Sequence, residues 1–73
     1  MIKKLEITEA VPLCGKNRDC VIRKRKGLPY MTVSKQDIAN LPLYIKNNHL
    51  VEHACNEARL NKKCSEIIIF FTE

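Results

Sequence analysis

The stretch SEIIIFFTE (residues 65–73) closes the chain with the apolar run Ile67, Ile68, Ile69, Phe70 and Phe71. A strand sends successive side chains to opposite faces, so Ile67, Ile69 and Phe71 point one way and Ile68 and Phe70 the other. β-Branched and aromatic residues with no polar face mark a strand that is central in a sheet, or an edge shielded by a second subunit. The rest of the chain is therefore expected to supply strands beside this one and layers over it.

At the opposite end, alternation separates Leu5, Ile7 and Val11 from Lys4, Glu6 and Thr8. That period of two predicts a half-buried strand near 2–9. The following PLCGKNRDC (12–20) is rich in turn formers and reads as a long irregular connection. Next comes CVIRKRKGLPYMTV (20–33), with four consecutive cations between two apolar runs and a glycine after them. It predicts a β-hairpin with strands near 19–26 and 28–33, in which Lys26 and Gly27 form the turn and Gly27 takes a positive φ. Counting outward directs Cys20, Ile22, Met31 and Val33 to the core, and Val21, Arg23, Arg25, Leu28, Tyr30 and Thr32 away from it. Arg23 then faces Tyr30, and Pro29 confines its strand to the sheet edge.

Ser34 and Asp37 suit a helix start, so a short helix is expected near 35–40. Pro42 ends it and opens a second helix near 43–62, with a weak point at Asn47, Asn48 and His49. Leu43, Leu50, Val51, Ala54, Cys55 and Ala58 recur at helical spacing along its inner stripe. The whole reads as a single α+β domain over residues 1–73. A small, mainly antiparallel sheet, made of the β-hairpin plus the N- and C-terminal strands, carries two helices packed on one face. Ile22, Met31 and Val33 meet the stripe, and Ile67, Ile69 and Phe71 close that core. Ile68, Phe70, Val21 and Leu28 are left on the uncovered face as an apolar patch, which predicts a homodimer through the C-terminal strand.

A chain of 73 residues supports one core. It has little room for a deep pocket of ~300 Å³ or more, so a multi-step enzyme is not expected. The N-terminal MIKKLEITEA lacks the apolar core of a signal peptide, and no apolar run is long enough to cross a bilayer. The expected location is cytoplasmic, where the four cysteines would be thiols or metal ligands before they were disulfides. Cys20 and Cys55 read as small core hydrophobes, and Cys14 and Cys64 as partly exposed thiols.

A Cys14–Cys20 bridge is feasible across the loop. Cys55 and Cys64 in one continuous helix would stand about 13 Å apart, too far to bridge. Cys14 and Cys20 are spaced more widely than the usual structural zinc pair. His49 and His53 share a helical face but lack the glutamate of a His-Glu-x-x-His site, and Cys55 is turned about 200° from His53. No metal or other cofactor is assigned. No residue pattern orients a histidine beside a thiol or supplies an oxyanion site, so no catalytic residue is assigned either.

Charge is the sharpest signal. Between residues 16 and 26 stand Lys16, Arg18, Arg23, Lys24, Arg25 and Lys26 against Asp19 alone, which equals the chain's entire net charge of +5. Cations gathered on one ribbon can track phosphates, and Tyr30 beside them could stack on an unpaired base. A charged hairpin tip can also be a solvated guard against edge pairing. The leading expectation is a small cytosolic regulator that binds nucleic acid through Lys16, Arg18, Arg23, Lys24, Arg25, Lys26 and Tyr30. The alternative is a protein-binding inhibitor or adaptor, of the kind phages and mobile elements encode, whose cations meet an acidic surface on a host protein.

Overall fold

The computed structural model describes residues 6–72. In chain order these form β1 (Glu6–Cys14), α1 (Arg18–Lys24), β2 (Tyr30–Ser34), a 3-10 turn (Ile38–Asn40), α2 (Leu43–Lys46), α3 (His49–Leu60) and β3 (Cys64–Thr72). The fold is α+β: an antiparallel three-stranded sheet in the order β1-β3-β2, with helices packed against it. The expected beginning of the first strand, at residues 2–5, lies outside the described residues.

β3 is the central strand, as its two-sided apolar sequence requires. Ile67, Ile68, Ile69 and Phe70 are all at most 1% exposed. Its alternation divides the interior into two cores. One contains Ile67, Ile69 and Phe71 with Val33, Ile38, Leu41, Ile45, Val51, Ala54, Cys55 and Ala58. The other contains Ile68, Phe70 and Leu13, with the half-buried Val11, Val21 and Ile22 against them.

The helical stripe forms much as its spacing predicts, because Val51, Ala54, Cys55 and Ala58 recur at three- and four-residue steps and all are buried. The second helix splits at the expected weak point. α2 ends at Lys46, and Asn48 caps α3 by accepting a hydrogen bond from the Leu50 N–H at 3.0 Å. Pro42 immediately precedes α2, and Leu41 before it is extended, as a residue ahead of proline prefers. Leu43 departs from its expected place: it is 71% exposed, and Ile45 fills the core position instead. The first helix shrinks to the 3-10 turn, and the Ser34 hydroxyl bonds the Asp37 carboxylate at 2.7 Å rather than capping a backbone N–H.

The hairpin expected over 19–33 does not form. Its second half is strand β2, lying at the sheet edge as Pro29 demands, but its first half is helix α1. The physical reason lies in Val21 and Ile22. A strand would send these neighbours to opposite faces, whereas a helix, at ~100° per residue, turns both toward the sheet together with Arg18 and Arg25. Asp19 in the first turn and Arg23 and Lys24 in the last also complement the helix dipole. Gly27, at φ 93°, still supplies the positive angle, now in the link from α1 to β2 rather than in a hairpin turn. Arg23 and Tyr30 are consequently not cross-strand partners, and Cys20, expected in the core, is exposed on the outer side of α1.

α1 lies on the face opposite α3. The face expected to be open is thus covered over Ile68 and Phe70 from within the chain, while Leu28, the other large member of the expected patch, stays 39% exposed. The C-terminal strand, through which a homodimer was expected, has β1 and β2 on its two edges, so it is the central strand and not a free edge. Pro12 and Leu13, expected in a loop, extend β1, where an edge strand tolerates the proline. A register shift between Ile7 and Glu9 reverses the alternation of β1, so that Ile7 joins the α3 core whereas Val11 and Leu13 join the α1 core.

Candidate functional site

α1 is seven residues long and buries none of them completely. Its inner edge is tied to the sheet at both ends. Arg18 Nη1 lies 3.7 Å from Glu66 Oε2 on β3, and the Arg25 guanidinium pairs with the Glu9 carboxylate on β1. The hydrogen bond to Glu9, and then its charge, push the Arg25 guanidinium up from its ordinary value. Between these ties Val21 and Ile22 cover Ile68 and Phe70. A cleft of about 200 Å³ runs between α1 and β1, lined by Glu9, Val11, Val21, Lys24 and Arg25.

The expected cations therefore separate into two kinds. Arg18 and Arg25 are neutralised by carboxylates and act as tethers. Lys16, Arg23, Lys24 and Lys26 are exposed and have no ion pair among the described residues. They stand at the two ends of a short rod: Lys16 just before α1, and Arg23, Lys24 and Lys26 about its last turn, ~9 Å along the axis from Arg18 to Lys24. Tyr30 belongs to the same sheet face, opposite Phe70 in the β2–β3 ladder. Its ring packs obliquely on Phe70, with centroids 6.1 Å apart, and is still 47% exposed. An aromatic so fixed and half open, four residues after Lys26 in the chain, has with the unpaired cations the composition of a surface that stacks a base and neutralises its phosphates.

No protein-family model, curated protein or solved structure matches the chain. Function must therefore be argued from this surface alone.

Two structural facts were not visible from the spacing of residues. Cys14 and Cys64, expected as thiols, face each other at the end of the β1–β3 ladder and are joined in a disulfide. The Asn61 side-chain amide donates toward Cys14 Sγ at 3.7 Å. No cluster of three or more His, Cys, Asp and Glu side chains that could hold a metal ion occurs among the described residues. His53 instead lies 3.7 Å from Glu57, one turn along α3. Lastly, the disulfide end of the sheet gathers lysines outside the basic segment. Backbone bonds from Gly15 N–H to the Lys63 carbonyl (3.3 Å) and from Lys35 N–H to the Ser65 carbonyl (2.9 Å) lace three segments together there. Their only sequence signal was the Lys62, Lys63 pair, which reads as an ordinary helix-end complement until the fold brings Lys35 alongside. Among the described residues no helix is long and apolar enough to cross a membrane.

Proposed function

We propose that this protein binds nucleic acid through the outer side of α1 and its flanks, with Lys16, Arg23, Lys24 and Lys26 contacting phosphates and Tyr30 receiving a base. The observation that carries this reading is the division of the cations. Two are consumed in holding α1 to the sheet, and four remain solvated with no carboxylate partner among the described residues, while the half-exposed Tyr30 packs on Phe70 on the sheet face that α1 covers. A charge excess serving solubility alone would not need to be concentrated in one segment that holds the whole net charge of the chain. In this reading Arg18 and Arg25 position the helix and do not contact phosphate, which narrows the basic set to four. The stacking tyrosine favours an unpaired strand over a duplex, whose bases are already stacked.

The test is a titration of a labelled single-stranded oligonucleotide, followed by fluorescence anisotropy across a salt series. For the variant carrying Lys16→Gln, Arg23→Gln, Lys24→Gln and Lys26→Gln, the slope of log K against log salt should flatten by about 3 units, from ~0.7 per lost phosphate contact. Circular dichroism confirms that the variant is folded. An unchanged slope in a folded variant leaves these cations as solvated charge. An acidic protein as partner is the other outcome: it would give salt-sensitive capture that survives nuclease treatment, with no oligonucleotide binding by the purified chain.

A further inference from the structure

A second hollow lies away from the proposed α1 surface, at the disulfide end of the sheet. It is an open cleft of about 540 Å³ lined by Ser34, Lys35, Gln36, Lys62, Ser65 and Glu66, with the disulfide-bonded Cys64 in its wall. It is formed where the end of β2, the start of β3 and the turn between α3 and β3 meet. The register that sets Ser34 opposite Glu66, and the bond from Lys35 N–H to the Ser65 carbonyl, bring the first two together. The third is held by the Asn61 side chain, whose oxygen accepts the Lys63 N–H at 3.0 Å, and by the Cys14–Cys64 bond. The cleft is thus built by long-range contacts rather than by one flexible loop.

Its chemistry is cationic and rich in donors. Lys35 and Lys62 have no ion pair among the described residues, and the Ser65 hydroxyl and Gln36 amide add neutral donors. Two carboxylates lie close by. Glu66 is met by Arg18 at 3.7 Å, and Asp37 accepts the Ser34 hydroxyl at 2.7 Å, so Ser34 is spent as a donor. Two ammonium groups with hydroxyl and amide donors around an open hollow suit a tetrahedral oxyanion that accepts several hydrogen bonds. The Arg18–Glu66 pair is shared: Arg18 belongs to α1, and Glu66 lines the cleft. The cleft therefore begins where the α1 surface ends, and crossing from β1 to β2 spans two strand spacings, about 10 Å.

We infer that this cleft is a phosphate site, occupied by a phosphodiester of the same strand that α1 is proposed to bind, so that the strand passes from Lys26 along α1 and over the disulfide end to Lys35 and Lys62. This inference rests on the function proposed above and adds a second, separate point of contact to it. The variant Lys35→Gln/Lys62→Gln alters two exposed side chains and leaves the α1 set intact.

Two measurements test it. In the oligonucleotide titration, the double variant should flatten the salt slope by about 1.4 units. In nuclear magnetic resonance titrations of the wild-type chain, sodium pyrophosphate should shift the backbone amides of Gln36, Lys62 and Ser65, and in the double variant it should not. Both results together support the inference. A wild-type strand affinity that depends on the α1 cations but is unchanged in the double variant overturns the inference and leaves the proposed function standing. If the wild-type chain binds no strand but pyrophosphate still shifts those amides, the function fails. The cleft is then a site for a free phosphoester, not for a strand, and the inference as stated falls with it.

Discussion

The two faces of the sheet use the same central strand but are covered in different ways. On one, the twelve-residue α3, α2 and the 3-10 turn bury a wide set of aliphatic side chains. On the other, seven-residue α1 rests Val21 and Ile22, both half-buried, on Ile68, Phe70 and Leu13, and is tied down at its edges by two ion pairs. Apolar burial contributes roughly in proportion to area, whereas solvent-exposed ion pairs are screened and contribute little. The α3 face therefore holds the fold, and the α1 face is a thin cover that opens at lower cost. That difference suits a division of labour in which the thin cover carries the unpaired cations, since elements that engage ligands come from the less stable end of a structure.

The largest expected effect tests what the two faces share. The Cys14–Cys64 bond spans 50 residues and fastens the edge strand β1 to β3, so both cores depend on it. Replacing both cysteines with serine should cost about 4 kcal/mol in a urea titration, the loop-closure entropy of a ring that size. A loss under ~1 kcal/mol would show that β1 is held by packing alone.

The next pair of substitutions addresses the comparison directly. Ile45→Ala, at a site 2% exposed on the α3 face, should cost about 2 to 5 kcal/mol. Ile22→Ala on α1 should cost about 1 kcal/mol, because much of that side chain already meets water. In the Ile22 variant, amide exchange should quicken across 18–24 and leave 49–60 protected; equal acceleration of both helices would mean that the faces unfold as one unit.

Capping separates the helices more finely. Asn48 caps α3 with its side chain, whereas Asn17 before α1 makes no such bond. Asn48→Ala should therefore cost about 1 kcal/mol and Asn17→Ala only a few tenths, both readable as shifts in denaturation midpoint.

The smallest effect concerns the two free thiols. Cys20 is exposed and should alkylate at once with iodoacetamide, whereas Cys55, 8% exposed on the buried side of α3, should react only as the chain opens. Burial pushes the Cys55 thiol up from its ordinary value of 9.0, with Arg59 opposing the change. The native chain thus keeps this proton at a pH where the unfolded chain has lost it, so stability is full below that value and declines as pH rises through it. Cys55→Ala should remove that decline, as a comparison of urea midpoints across alkaline pH will show.

The α3 face was largely legible in the sequence. Alternation in Ile67–Phe71 fixed which side chains point where, and the spacing of Val51, Ala54, Cys55 and Ala58 marked the stripe above three of them. Both signals are long enough for a period to be counted. The α1 face was not legible, because RDCVIRK covers barely two turns, and a strand over 19–26 was equally consistent with its composition. Length decides such cases poorly, and the result was fixed by the need of Ile68 and Phe70 for a cover. The basic segment could be found by counting charges. Its division into tethers and free cations could not, since Glu9 and Glu66 are brought to Arg25 and Arg18 only by the sheet. The partners of Cys14 and of Lys35 were hidden for the same reason: each lies in a remote strand or turn, and only the register brings it near.

The disulfide also bears on the route by which the chain reaches its fold. β3 follows both of its neighbours in the sequence, so every strand pairing joins remote segments, and such non-local topologies fold slowly because loop closure precedes any gain in contacts. Once Cys14 and Cys64 are linked, the adjoining ends of β1 and β3 start beside each other, and the ladder from Leu13 and Glu66 toward Glu6 and Thr72 can close one pair at a time. The covalent bond then stands where a two-residue turn stands in a hairpin: it converts the most distant pairing in the domain into the most local one, and lets the oxidised chain begin at the strand on which both faces are later assembled.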